Sequence, residues 1–223
     1  MWPFFIIVIL LTFNASANNK ESPPIYLRVD IGVSFPSGSF YKNDKNYYYK
    51  GSTIDRTWFG GVGIGYIFNN NIRTDLVLTN RNLYTFSKSE HQDTDLVSTK
   101  QNFSNTSLIT NLYYDFTNTT IIIPYINFGV GVSRNRNGSY NKYYNDEKLI
   151  TATSGIKYDF VWNAGIGLQA KLTQNFYADL FFKYVDLGKF KNNSYALVTE
   201  INEISNPGLI ENKELGLSLI YKF

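Results

Sequence analysis

The residues best suited to chemistry lie together in Ser87-Lys-Ser-Glu-His-Gln-Asp-Thr-Asp95. His91 is the only histidine, and Ser89, Glu90, Asp93 and Asp95 flank it. A serine, an imidazole and a carboxylate within reach of one another make a nucleophilic triad, and an imidazole among carboxylates can hold a metal. Either chemistry needs a rigid frame. This stretch is wholly polar, with nothing to fix a geometry, so it reads as a solvated connection. Gly60-Gly-Val-Gly-Ile-Gly65 has the look of a dinucleotide-binding fingerprint. Such a fingerprint must open a helix, and these glycines sit in a strand-like run, so that reading is rejected. No enzymatic activity and no cofactor or metal site is expected.

A third set is larger. Arg28, Arg73, Arg81, Lys171, Lys183 and Lys222 stand against Asp30, Asp75, Asp115, Asp159, Asp179 and Glu214. The two signs balance. They recur on the polar parity of segments whose other parity is apolar. Alternate side chains of a strand point to opposite faces, so all twelve would share one side of a sheet. An ion or proton path is one reading of charges held inside a membrane protein. Mutual pairing inside a narrow lumen is the plainer one, because an isolated buried charge is very unfavourable.

What could position such residues is a closed sheet, and the last eleven residues, Lys213 to Phe223, show its pattern most clearly. Leu215, Leu217, Leu219, Tyr221 and Phe223 share one parity; Glu214, Gly216, Ser218 and Lys222 share the other, with Ile220 the exception. An exposed apolar edge strand invites aggregation in water. A strand that closes a barrel in lipid has no free edge. At the other end, Met1 to Phe13 is almost purely apolar and Ala15-Ser-Ala17 follows. This predicts an export signal over residues 1–17, although no Lys or Arg precedes the apolar run, and a barrel domain over 18–223. The run is too short to span a bilayer.

Eight segments alternate in this way: Ile25–Phe35, Thr57–Phe68, Ile72–Phe86, Phe103–Phe116, Ile123–Ser133, Tyr158–Leu172, Phe176–Gly188 and the terminal one. They are long enough to cross a bilayer at a tilt, whereas a soluble sandwich uses strands of about 5–6 residues. Asn69-Asn-Asn71, Thr117 to Thr120 and Thr173-Gln-Asn175 make short turns. Pro36 to Arg56, Ser87 to Asn102, Arg134 to Lys157 and Lys189 to Ile210 make long connections. The expected fold is all-β: an eight-stranded antiparallel up-and-down transmembrane barrel with four long surface loops and short periplasmic turns. A soluble barrel with an apolar lumen would show the same parity turned inside out. The many glycines and paired charges of the polar face, and aromatics near segment ends, favour lipid outside. The chain has no cysteine, and its formal charge of +3 is too small to argue for nucleic acid.

Partner binding then falls to the long connections. The first holds Tyr47, Tyr48, Tyr49 and Lys50; the third holds Arg134, Arg136, Tyr140, Lys142, Tyr143 and Tyr144. Rigid amphipathic aromatics beside adaptable polar groups are paratope-like, and a basic rim suits an acidic protein or glycan. The plainer reading is that these loops are solvated decoration.

The chain resembles the OmpA/opacity-type surface-antigen family, in particular its rickettsial adhesin-like members. The resemblance rests on Tyr66-Ile-Phe-Asn-Asn-Asn-Ile-Arg-Thr-Asp-Leu76, Pro124-Tyr-Ile-Asn-Phe-Gly-Val-Gly131, Phe160-Val-Trp-Asn-Ala-Gly-Ile-Gly167 and Asp179-Leu-Phe-Phe-Lys-Tyr-Val-Asp-Leu-Gly188. It extends to Gly216, Leu219, Tyr221 and Phe223, which resemble the terminal signal read by the barrel-assembly machinery. It implies an outer-membrane location and, as function, a surface antigen or adhesin for host surface or serum proteins. The alternative is a structural or weakly conducting barrel without a specific ligand.

Overall fold

The computed structural model describes residues 24–38, 53–92, 95–116, 120–144, 147–152, 155–189, 195–196 and 209–223. Residues 1–17, expected as an export signal, lie outside them, as do Tyr47, Tyr48, Tyr49 and Lys50. Eight long strands carry the fold: β1 (Ile25–Gly38), β2 (Thr57–Ile67), β3 (Ile72–Gln92), β4 (Asp95–Asp115), β5 (Ile122–Tyr144), β6 (Gly155–Lys171), β7 (Phe176–Lys189) and β8 (Leu209–Lys222). Each is antiparallel to its neighbour in the chain, and β8 returns to pair with β1 through Val29 and Leu219. The sheet is therefore closed. Each of the eight long strands is paired with a neighbour on both sides, as a wall in lipid requires.

The described short turns sit at one end, with the start of β1 and the end of β8. Between β2 and β3, Asn69 Oδ1 accepts the backbone N–H of Asn71 and of Ile72. Between β6 and β7, Thr173 Oγ1 accepts the N–H of Phe176. Such side chains stand in for a backbone turn and fix the register of the strands they join.

The period-two pattern resolves into two faces. Ile31, Ile166 and Leu217 are 59%, 60% and 57% exposed, while Arg28 is 1% exposed. Apolar side chains cover the outside and hydrophilic ones turn inward, which excludes the inside-out soluble barrel. At the short-turn end the outer rings stack in pairs, Tyr66 with Phe68, Tyr114 with Phe116 and Tyr221 with Phe223, at centroid separations of 5.1, 5.1 and 5.0 Å. Aromatic pairs of this kind mark the membrane–water boundary of a lipid-exposed barrel.

Two of the long connections differ from the expectation. The stretch from Ser87 to Asn102 is mostly a hairpin, with β3 and β4 paired as far as Gln92 and Asp95. The stretch from Arg134 to Lys157 is mostly strand as well. β5 runs on to Tyr144, and a short strand, Glu147–Ala152, folds back on it. Neither Ser87–Asn102 nor Ser139–Ala152 contains Gly or Pro, so nothing stops a hairpin that already pairs from continuing. The first and fourth connections carry Pro36, Gly38 and Gly51, and Pro207, and lie largely outside the described residues.

Candidate functional surface at the loop end of the barrel

The interior shows what this molecule does with most of its charge. Arg28 Nε donates to Asp30 at 2.9 Å, and its Nη1 donates to Asp75 at 2.9 Å and to Tyr113 at 2.6 Å. Its Nη2 donates to Ser218 and lies 3.7 Å from Asp179. Nearer the short-turn end, Arg73 pairs with Asp115 at 3.0 Å, and its guanidinium lies 3.9 Å from the Tyr113 ring centroid. Toward the loop end, Arg81 grips Glu214 with two donors, at 2.6 and 3.1 Å, and its Nη1 donates to Asn105 and Ser107. Bidentate pairs of this kind are the strong ones, and all these groups are buried. Lys183 is buried with its Nζ 4.3 Å from the Phe181 ring, and Lys222 Nζ donates to Gln169. Two of the twelve stand apart. Asp159, at the loop end of β6, is half-exposed and accepts from Lys157 Nζ. Lys171 ends β6 and is exposed.

The interior also holds groups that the sequence reading did not single out. Asn127 donates to Asn163 and Asn163 donates to Asn111, which donates to Asp75, each at 2.8 Å. This ladder crosses β5, β6 and β4 in turn. Phe59, Tyr113, Tyr125 and Phe181 form an aromatic plug. Inward glycines make room for both kinds of group: Gly63 and Gly165 lie against the stems of Arg28 and Lys183, and others lie against rings. A Cβ on Gly167 would collide with the Tyr125 ring, and one on Gly65 with the Tyr26 ring. The signal for the plug was present in the sequence: each of these rings lies on the polar parity of its strand. Across the described residues, successive layers of ion pairs, amides and rings fill the barrel.

The outer rim is different. Along β3 to β6, one row of outward residues in register reads Leu78, Leu108, Val132, Phe160, all exposed and apolar. The next row toward the loops reads Asn80, Thr106, Arg134, Tyr158. One row higher stand Ser104, Arg136 and Ile156. Apolar wall gives way to polar wall within one step of two residues. Arg134 and Arg136, expected in a loop, are thus on the outer face of β5, immediately beyond the apolar band.

Beyond that rim the sheet projects. The backbones of Tyr140, Lys142, Tyr143 and Tyr144 lie in β5, paired in order with Gln101, Thr99, Ser98 and Val97 of β4. Tyr140, Lys142, Tyr143 and Tyr144 also face the short strand, opposite Ala152, Ile150, Lys148 and Glu147. His91 is part of β3, opposite Leu96, not of a free loop, and Asp93 lies outside the described residues.

With the closed, lipid-faced sheet established, similarity settles the family. The model of the outer membrane protein beta-barrel domain matches residues 5–223. The chain belongs to this family of outer-membrane barrels. Outer membrane protein PagN of Salmonella typhimurium is 29% identical over 215 residues, spanning 86% of each chain. RC1281 of Rickettsia conorii, a protein named as a candidate adhesin, is 26% identical over 190 residues, spanning 81% of this chain and 75% of its own. The crystal structure of Neisserial surface protein A superposes with a TM-score of 0.55 at 16% identity, covering 92% of this chain and all of that one. The outer membrane is therefore the site of the barrel.

Proposed function

We propose that this barrel is a surface adhesin whose projecting hairpins bind a host or other extracellular partner. The observation that carries the reading is the sheet raised beyond the apolar band. From Val132 to the end of β5 at Tyr144 the strand runs on for roughly 40 Å. Paired on both sides, it holds its tyrosines, asparagines and lysines at fixed backbone positions, so binding would order little that is not already ordered. The Tyr/Asn/Lys composition supplies amphipathic contact area with adaptable polar groups. The likeness to RC1281, and to PagN as an outer-membrane protein, agrees with an adhesive role. Tyr47 to Lys50 in the first connection are proposed to contribute to the same surface.

Removing residues 139–152 tests this, because Asn137 and Gly155 already face each other across the hairpin and three residues remain to turn it. The shortened barrel assembles, and bacteria displaying it lose attachment to host cells or serum proteins. Unchanged attachment after all four connections are shortened overturns the adhesin reading in favour of a structural barrel. Conductance separates the remaining alternative. The filled interior gives no stable large channel in a planar bilayer, and such a channel would show a porin-like role instead.

A further inference from the structure

We propose that Arg134 and Arg136 form a binding site for the phosphate groups of an anionic outer-leaflet lipid, held against the apolar wall beneath them. Three observations lead there. First, both side chains point away from the lumen, since they continue the exposed parity of Phe128, Val130 and Val132 on β5. They lie on the outer face of the wall. Second, their height is set by register. Val132, 58% exposed and in line with Leu108 and Phe160, is two residues below Arg134, about 7 Å along the strand. That step leads from acyl chains to headgroups. Third, among the described residues neither guanidinium has an ion pair or hydrogen bond, whereas Arg28, Arg73 and Arg81 each make several.

Two arginines at positions i and i+2 of one strand present planar donor forks to the same outward space, and such forks match phosphate oxygens in pairs. The neighbours suit a headgroup. Tyr158, 71% exposed, is the cross-strand partner of Arg134 and offers a phenol above the Phe160 ring. On the other side, Thr106 Oγ1 already accepts from Asn80, so its hydroxyl proton is left to donate outward. The patch is local. On β7 and β8 the corresponding margin places Asp186 directly opposite Glu211, which would repel the same lipid. A phosphate-bearing lipid would thus be retained on the β4–β6 side of the barrel.

The test uses the full barrel refolded into phosphatidylcholine nanodiscs containing a minor fraction of diphosphorylated lipid A, with dephosphorylated lipid A as the comparison. The reading is the amount of each lipid retained on mild detergent extraction, measured by native mass spectrometry. The protein retains the phosphorylated form ~10-fold or more over the dephosphorylated one, and Arg134→Gln with Arg136→Gln abolishes the preference. Both residues are exposed and, among the described residues, unpaired, so heat-modifiable electrophoretic migration shows the double variant to be folded. The barrel shortened by residues 139–152 keeps both arginines and keeps the preference, which makes this site independent of the adhesive one. Equal retention of the two lipids, or an unchanged preference in the double variant, overturns the proposal. So does either of two further results: inorganic phosphate displacing the lipid at millimolar concentration, or the double variant losing capture of a soluble sulfated polysaccharide while its lipid preference stays intact. These would assign the arginines to a free anion or to a glycan.

Discussion

Arg28 and Arg134 carry the same guanidinium, and the barrel treats them in opposite ways. Inside, Arg28 is surrounded by Asp30, Asp75, Asp179, Tyr113 and Ser218, and none of its donors faces water. Outside, Arg134 stands on the rim between Thr106 and Tyr158, with no ion pair among the described residues. The difference follows from where the compensating charge comes from. A lumen shut off from solvent must supply its own carboxylates, since removing a charge from water without one is very unfavourable. The rim lies at the headgroup layer, where water and lipid phosphate supply the compensation. Interior charge therefore belongs to the architecture, and rim charge is free for recognition.

The largest expected effect breaks the comparison at its interior end. Arg28→Leu leaves three carboxylates facing one another with their central cation gone, which costs about 3–5 kcal/mol. Urea unfolding of the barrel refolded into vesicles should show it as a lower midpoint. Arg134→Leu, measured in the same way, should move stability by less than about 0.5 kcal/mol. Equal shifts in the two variants would show that the interior pairs are not what separates the two arginines.

A second pair of variants sharpens the boundary itself. Leu217 lies midway up the lipid face of β8, and Leu217→Arg should destabilise by about 2–4 kcal/mol. Thr106→Arg places the same charge in the row of Arg134, where about 0–1 kcal/mol is expected. If both cost the same, the apolar band does not end between Leu108 and Thr106. Smaller again is Gly167→Ala. The added methyl meets the Tyr125 ring, whose hydroxyl donates to Asp179, so the ring must shift or that hydrogen bond must lengthen. Overpacking of this kind costs about 1–3 kcal/mol, readable in the same unfolding curves. A shift within error would mean the ring has room to move that the static packing does not show.

Much of this was legible in the chain. The parity of Leu215 to Phe223, or of Phe160 to Leu172, needs only local sequence, because a strand with two different environments writes a period of two. The hairpin extensions were not legible. Residues 87–102 carry no apolar alternation, and their strand state comes from pairing with one another across the turn. The aromatic plug was half legible: parity turns Tyr125 inward, but only the register of β5 against β6 brings its ring over Gly167. Arg134 and Arg136 were assigned to a loop because polar residues after an apolar run read as the end of a strand. Their outward direction depends on β5 continuing with unbroken parity from Val132, which is decided by β4 and β6.

A variant at the carboxyl terminus separates folding from recognition. The Phe223 ring meets the edge of the Tyr221 ring at 87°, and its backbone N–H donates to Ile25 O. Phe223→Asp removes an aromatic contact of about 0.5–1.5 kcal/mol and leaves the backbone bond in place. The purified variant should thus refold into vesicles nearly as well as the parent. In cells, if Phe223 with Gly216, Leu219 and Tyr221 is read by the barrel-assembly machinery, the amount in the outer membrane should fall several-fold more than so small a loss of stability allows. Parallel losses in vesicles and in cells would show instead that the terminal aromatic acts only through packing, and unaltered assembly in cells would leave it no signalling role. The contrast between the two assays carries the argument, because only the cell contains a reader for the terminal strand.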